Sequence, residues 1–134
     1  MYNKILVPLA LDHGISEKTL AVAESLRSVG GQITALHVYE IPQGTVAALM
    51  GEDRVQQGLR VANSLLKEKT ANLDHVITEI VRGHAYRSIV EVAEKGGFDC
   101  IVIGSHKPGL SDYLIGSTAA RVVRHAKCTV HVHR

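Results

Sequence analysis

Short runs of branched apolar residues alternate with amphipathic segments of helical period along the whole chain, and the first run starts almost at residue 1. Residues 4–9 (KILVPL), 32–39 (QITALHVY), 76–81, 100–103 and 129–133 each have the length and composition of a buried strand. Between them lie four segments with an apolar stripe every three or four residues. In the first, Ser16 is the expected N-cap, Ile15, Thr19, Val22, Leu26 and Val29 form the inward stripe, and Gly30-Gly31 ends the helix. In the second, residues 52–70, the stripe is Val55, Leu59, Ala62 and Leu66. The third, 85–95, turns Ile89, Val90, Val92 and Ala93 inward and closes at Gly96-Gly97. The fourth covers 117–125. Strand and helix alternating in this way predict an α/β fold in three layers, a doubly wound five-stranded parallel sheet with helices on both faces. Ligands of such sheets bind beyond the carboxyl ends of the strands. Here those ends are the loops 10–14, 39–51, 82–84 and 104–116.

Bulk properties narrow the function classes. A length of 134 residues predicts one domain, 1–134. A net charge of +2 with interspersed signs argues against a nucleic-acid binder, which needs a basic patch or stripe. No apolar run approaches the roughly 18–20 residues that cross a bilayer, and the N-terminus lacks the apolar region of a signal peptide. Cys100 and Cys128 form neither a disulfide framework nor a metal spacing. The expectation is a cytoplasmic, reduced protein that binds no membrane.

The stretch that concentrates chemistry is 100–134, CIVIGSHKPGLSDYLIGSTAARVVRHAKCTVHVHR. A buried strand stops at Gly104, a polar loop follows, and Gly116-Ser117-Thr118 opens an amphipathic run. One reading is a phosphate cradle: Gly104 lets backbone approach a ligand, and Gly116, Ser117 and Thr118 aim N–H and hydroxyl donors at its oxygens. The other is a helix capped by its own Ser117 or Thr118. Neither a Walker loop nor GxGxxG is present.

These residues resemble the C-terminal signature of the universal stress proteins, and KILVPLALD resembles that family's first strand. The resemblance runs through the whole chain and implies strand order 3-2-1-4-5. The family's common nucleotide motif is Gly, two residues, Gly, nine residues, Gly, then Ser or Thr. Gly104 fits the first glycine and Gly116-Ser117 the last pair. Lys107 replaces the middle glycine, and the spacer is one residue short. This Ser-His-x-Pro form resembles a small bacterial subgroup that also binds adenine nucleotides. By the resemblance, Pro8 and Ala10 lie where the first strand meets the ligand. Ala10 stands where the family has an aspartate, and Asp12 follows two residues later as either a ligand carboxylate or a turn residue. Val38 would face the adenine, Gly83 would lie near the ribose, and Gly104, Ser105 and His106 would meet the phosphates with Gly116, Ser117 and Thr118.

Eight histidines include no HExxH or related set, so a catalytic zinc is not expected. His106 is either a phosphate donor or an ordinary loop residue. No GxSxG elbow is present, and the cysteines read as packing residues. The resulting expectation is a stress-response protein binding ATP or AMP, with Mg²⁺ if a triphosphate is bound. Any hydrolysis or self-phosphorylation would be slow, because the sequence displays no Arg/Lys cluster and no general base for phosphoryl transfer. The alternative is a nucleotide-free dimeric interaction module, which Ala10 and Lys107 favour. A flavodoxin-like enzyme shares the topology, but the chain has no Trp and only Phe98 among its phenylalanines. The resemblance also implies a homodimer through residues 129–133, an edge strand on which His131 and His133 share one face. Their protonation near pH ~6.5 would loosen such a contact; two exposed histidines without a role is the other reading.

Overall fold

The computed structural model of the protein describes residues 1–11, 16–41, 49, 51–105 and 115–134. In chain order these are β1 (Tyr2–Pro8), α1 (Ser16–Leu26), β2 (Arg27–Tyr39), α2 (Glu52–Lys69), β3 (Val76–Arg82), α3 (Ala85–Lys95), β4 (Cys100–Gly104), α4 (Ser117–His125) and β5 (Thr129–His133). The strands form one parallel sheet in the order β3-β2-β1-β4-β5, as the alternation and the resemblance led us to expect.

β1 is the central strand, and its Ile5, Leu6 and Val7 are inaccessible to solvent. Alternate residues of a strand face opposite sides, so the sheet divides the interior into two cores. Ile5, Val7, Ile33, Ala35, Cys100 and Val102 pack with Leu20 and Ala23 of α1 and Leu66 of α2. Leu6, Leu36, Ile101 and Ile103 pack with Ile89 and Ala93 of α3 and Ala119 and Val122 of α4. Burying each such side chain contributes on the order of 1.5–3 kcal/mol before conformational entropy is counted. Pro8 closes β1, where the missing N–H costs nothing to the ladder, and Leu9 N–H resumes it by donating to Leu36 C=O at 2.8 Å.

A side-chain clasp ties the start of β1 to the turn before β4. The carboxylate of Asp99 accepts from the N–H groups of Asn3 and Lys4 at 2.8 and 3.0 Å, and Asp99 N–H donates to Lys4 C=O at 3.0 Å. The Lys4 ammonium lies 4.7 Å from the centre of the Phe98 ring.

The first helix corrects our expectation. It ends at Leu26, not at the double glycine, and β2 begins at Arg27 rather than at residue 32. Val29, expected on the buried stripe, is fully exposed. Gly30 takes φ 77, a conformation no helix contains. Gly31 lies against β1 so closely that a Cβ there would fall 3.0 Å from the Tyr2 carbonyl oxygen. The segment therefore pairs with β1 through an irregular register between Tyr2 and Lys4. Among the described side chains of α1, Thr19, Leu20 and Ala23 are buried, with Val22 and Leu26 half-buried.

Candidate functional site

The carboxyl ends of β1, β2 and β4 open into a cavity of about 570 Å³. Small-molecule sites occupy roughly 300–1,000 Å³, most often at this end of an α/β sheet. Pro8, Leu9, Ala10 and Leu11 line it from β1 and the chain beyond. Ile103 and Gly104 line it from β4, Ala85 and Ile89 from α3, and Thr118 from α4.

The β2 side is shaped by strand alternation. His37 and Tyr39 point to the face that carries α2, while Val38 packs with the opposite core. His37 Nδ1 lies 2.8 Å from Leu9 C=O. A carbonyl only accepts, so Nδ1 carries the proton, and the ring pins the chain as it leaves β1. Tyr39 lies across α2 at Gly58, where a Cβ would sit 2.0 Å from the phenol oxygen. With Gly58, the residues Val61, Ala62 and Leu65 complete the α2 wall. Val61 and Leu65 remain 55% and 39% exposed, an apolar wall open to the cavity rather than closed into core.

Two helix N-termini meet this cavity, and they differ in how their amides are used. At α3 the carboxylate of Glu40, just beyond β2, accepts from Ala85 N–H at 2.8 Å. At α4 the N-cap is Gly116, with φ 84 and ψ 143, so the cap position itself carries no side chain. The cap position is thus Gly116 and not Ser117 or Thr118. Ser117 is exposed, Thr118 is half-buried against the cavity, and Gly116 C=O accepts from Ala120 N–H at 3.0 Å. Among the described residues no carboxylate accepts from the first amides of α4, whose partial positive charge faces the opening.

Beside these N-termini lies an aromatic and cationic group that sequence reasoning missed. The Tyr86 ring is flanked edge-on by His84, with centroids 5.0 Å apart, and is stacked on His125 at 5.4 Å. The guanidinium carbons of Arg121 and Arg87 lie 5.4 and 5.8 Å from its centre. Arg87 Nε–H donates to the phenol oxygen at 3.2 Å, which holds the Tyr86 hydroxyl below its usual pKa and the guanidinium above its own. The sequence separates Arg87 and Arg121 onto different helices, so no run of basic residues announces the cluster.

Of the residues expected at the site, Pro8, Ala10, Val38, Gly104 and Thr118 line the cavity together. Gly116 and Ser117 adjoin Thr118 at the α4 N-terminus. Ser105 is buried, and its N–H donates to His133 C=O at 2.9 Å, a bond that joins β4 to β5. Gly83 is outside the cavity lining, its N–H donating to Tyr39 C=O at 3.1 Å. Asp12 and His106 lie outside the described residues, as does Lys107. Leu9, Leu36, His37, Tyr39, Glu40 and the α2 wall were not foreseen. A usable signal existed for the wall: Gly58, Val61, Ala62 and Leu65 repeat at helical spacing beside the stripe already recognised.

A doubly wound parallel sheet with a cavity at its switch point and a glycine-capped helix beside it defines an α/β protein of the doubly wound class. The sequence profile of the universal stress protein family matches residues 1–134, and the chain belongs to that family. It is 31% identical to universal stress protein A homolog 2 of Coxiella burnetii over 137 residues, covering 96% of this chain and 92% of the relative. Among solved structures, hypothetical protein MJ0577 superposes with a TM-score of 0.79 at 27% identity, covering 98% of this chain and 95% of that one. The same fold recurs in a universal stress protein solved with cAMP (TM-score 0.65, 24% identity, covering 99% and 97%). It recurs again in the Archaeoglobus fulgidus protein solved with dAMP (TM-score 0.66, 18% identity, covering 99% and 98%).

Proposed function

We propose that this chain binds an adenine nucleotide, ATP or AMP, at the carboxyl end of its sheet, and that it does so as a cytoplasmic stress-response protein. The observation that carries the reading is the α4 N-terminus: Gly116 supplies no side chain, and Thr118 in the first turn lines the cavity. Phosphate oxygens there would accept from the backbone N–H groups of the first helical turn. The apolar wall of Leu9, Val38, Val61 and Leu65 suits a base, and relatives of this fold are solved with cAMP and dAMP. Gly104 and Gly116 let backbone approach the phosphates, with Ser117 and Thr118 beside them and Pro8 and Ala10 toward the nucleoside.

Among the described residues no group of three or more His, Cys, Asp or Glu could hold a metal ion. Mg²⁺ arriving with a triphosphate would keep phosphate oxygens and water as its main ligands. Turnover, if any, is slow. One observation favours the second reading, a nucleotide-free interaction module: Ala10, not a carboxylate, is at the cavity wall next to β1.

Calorimetry with ATP and AMP up to millimolar concentration decides between the two. The expected result is saturable binding by the wild type and at least about tenfold weaker binding by Gly116→Val, equivalent to ~1.4 kcal/mol. A β-branched residue at φ 84 costs about 1–3 kcal/mol of backbone strain and displaces the first turn of α4. Absence of any binding by a folded wild type would leave the interaction module as the function.

A further inference from the structure

A second groove, of about 600 Å³, shares no lining residue with the cavity at the strand ends. Its floor is one face of β2 and β3. Ile33, Ala35, Val76 and Ile80 pack into the core beneath α1 and α2, so alternation turns Thr34, Ile77, Glu79 and Val81 to the α3 side. There α3 packs on β2, with Ile89 against the core that holds Leu36, and the face of the edge strand β3 is left open. Ile77 is accordingly 45% exposed. Ser88 and Val92 of α3 and Phe98 beyond it form the wall.

Thr34 is the residue that points to a ligand. It is only 4% exposed and lines the groove, yet among the described residues its hydroxyl has no hydrogen-bond partner. Buried hydroxyls are ordinarily satisfied, because taking one out of water without a partner is costly. A polar atom of a bound molecule would supply the missing bond.

The charges at the groove define what that molecule is. Arg82 is paired with Glu52, and Glu91 with Lys95. Among the described residues two lining charges have no ionic partner: Glu79, and Lys4, whose ammonium donates to Gly96 C=O and lies over the Phe98 ring. They are opposite in sign. In the sheet register Lys4 is beside Gln32 and Thr34 beside Ile77. Thr34 is therefore the midpoint of a diagonal from Lys4 to Glu79, each end roughly 8 Å away between Cα atoms.

We propose that this groove binds a short peptide with free termini, its ammonium at Glu79, its carboxylate at Lys4 and a backbone polar group on the Thr34 hydroxyl. The two long side chains shorten the diagonal to a span that two to four extended residues cover, at about 3.3–3.6 Å each. A single amino acid is too short to meet both charges. Apolar side chains of the peptide would rest on Ile77, Val81 and Val92. The site stands whether or not a nucleotide occupies the other cavity.

The test is titration of the tripeptide Leu-Ala-Leu, free and with acetylated and amidated ends, into the ¹⁵N-labelled full chain, followed by amide chemical shifts. The free peptide should shift the amides of Thr34, Ile77, Glu79 and Val92 and saturate at millimolar concentration. The end-blocked peptide and leucine alone should each bind at least about tenfold more weakly. Glu79→Gln and Thr34→Val should each weaken the free peptide at least about threefold. Thr34→Val keeps the shape and removes an unmet hydroxyl, so its Tm should not fall, which separates loss of a ligand contact from loss of structure. Absence of saturable shifts in the wild type up to about 10 mM peptide would overturn the proposal. So would equal binding of the free and end-blocked peptides, or wild-type affinity in both variants.

Discussion

Cys100 lies fully buried on β4, between Ile5 of β1 and Thr129 of β5 in the sheet register. Taking its thiolate out of water is costly, and burial pushes the thiol up to about 11. The folded state thus disfavours an ionisation that the unfolded chain accepts near its ordinary value of 9.0. The stability that follows from this is fully present below about pH 9 and is lost as pH rises from there through about 11. Cys100→Ala should unfold with a smaller alkaline decline in Tm between pH 8 and 10.5 than the wild type, and at neutral pH the native thiol should react with a disulfide reagent only on unfolding. An identical alkaline decline in the variant would assign that loss to other groups. The sequence reading of Cys100 as a packing residue agrees with its burial. His37 is the opposite case, because nothing in its run marks it as a residue whose Nδ1–H holds Leu9 C=O.

At the scale of elements, the strands and most helix faces were legible because period and burial coincide: Val55, Ala62 and Leu66 of α2, and Ile89 and Ala93 of α3, are buried as their spacing predicts. The end of α1 was not, since apolar Val29 extended the stripe while the close approach of Gly31 to Tyr2 took the chain into β2. Contacts between elements were also invisible, as with Tyr86 against Arg121 and Tyr39 against Gly58. The last pair gives a prediction. Alanine is a better helix former than glycine by about 1 kcal/mol, but a methyl group at 58 would overlap the Tyr39 hydroxyl and ring. Gly58→Ala should displace the ring from α2 into the cavity and weaken nucleotide binding severalfold while α2 keeps its helicity. Circular dichroism and calorimetry on one preparation check both halves, and unchanged affinity would show that Tyr39 moves away at no cost to the site.

At the scale of the whole molecule, β5 is an edge strand paired on one side with β4. His133 C=O points toward β4, where it accepts from Ser105 N–H. Since backbone groups alternate along a strand, the N–H and C=O of Val130 and Val132 point outward along the edge. Their side chains pack with the core beneath α3 and α4, while His131 is exposed on the opposite face. An unpaired edge of this kind suits an isologous two-fold contact. We therefore expect a homodimer through β5, and Val132→Pro should render it monomeric by deleting an outward N–H that the β4 ladder does not use. Sedimentation velocity checks this, and a dimer that survives the substitution would have to be built on another surface.

The clasp between Asp99 and the first residues of β1 sets the order in which a newly made chain can finish folding. β1 leaves the ribosome first, yet the Cys100 and Ile101 that flank it arrive only after three of the four helices have been made. At about 5–20 residues per second, the central strand waits roughly 5–20 s for its second neighbour. During that interval β1 can be paired with β2 while its other edge stays open to chaperones or to a neighbouring nascent chain. The emergence of Asp99, which fastens Asn3 and Lys4, marks the close of that vulnerable period.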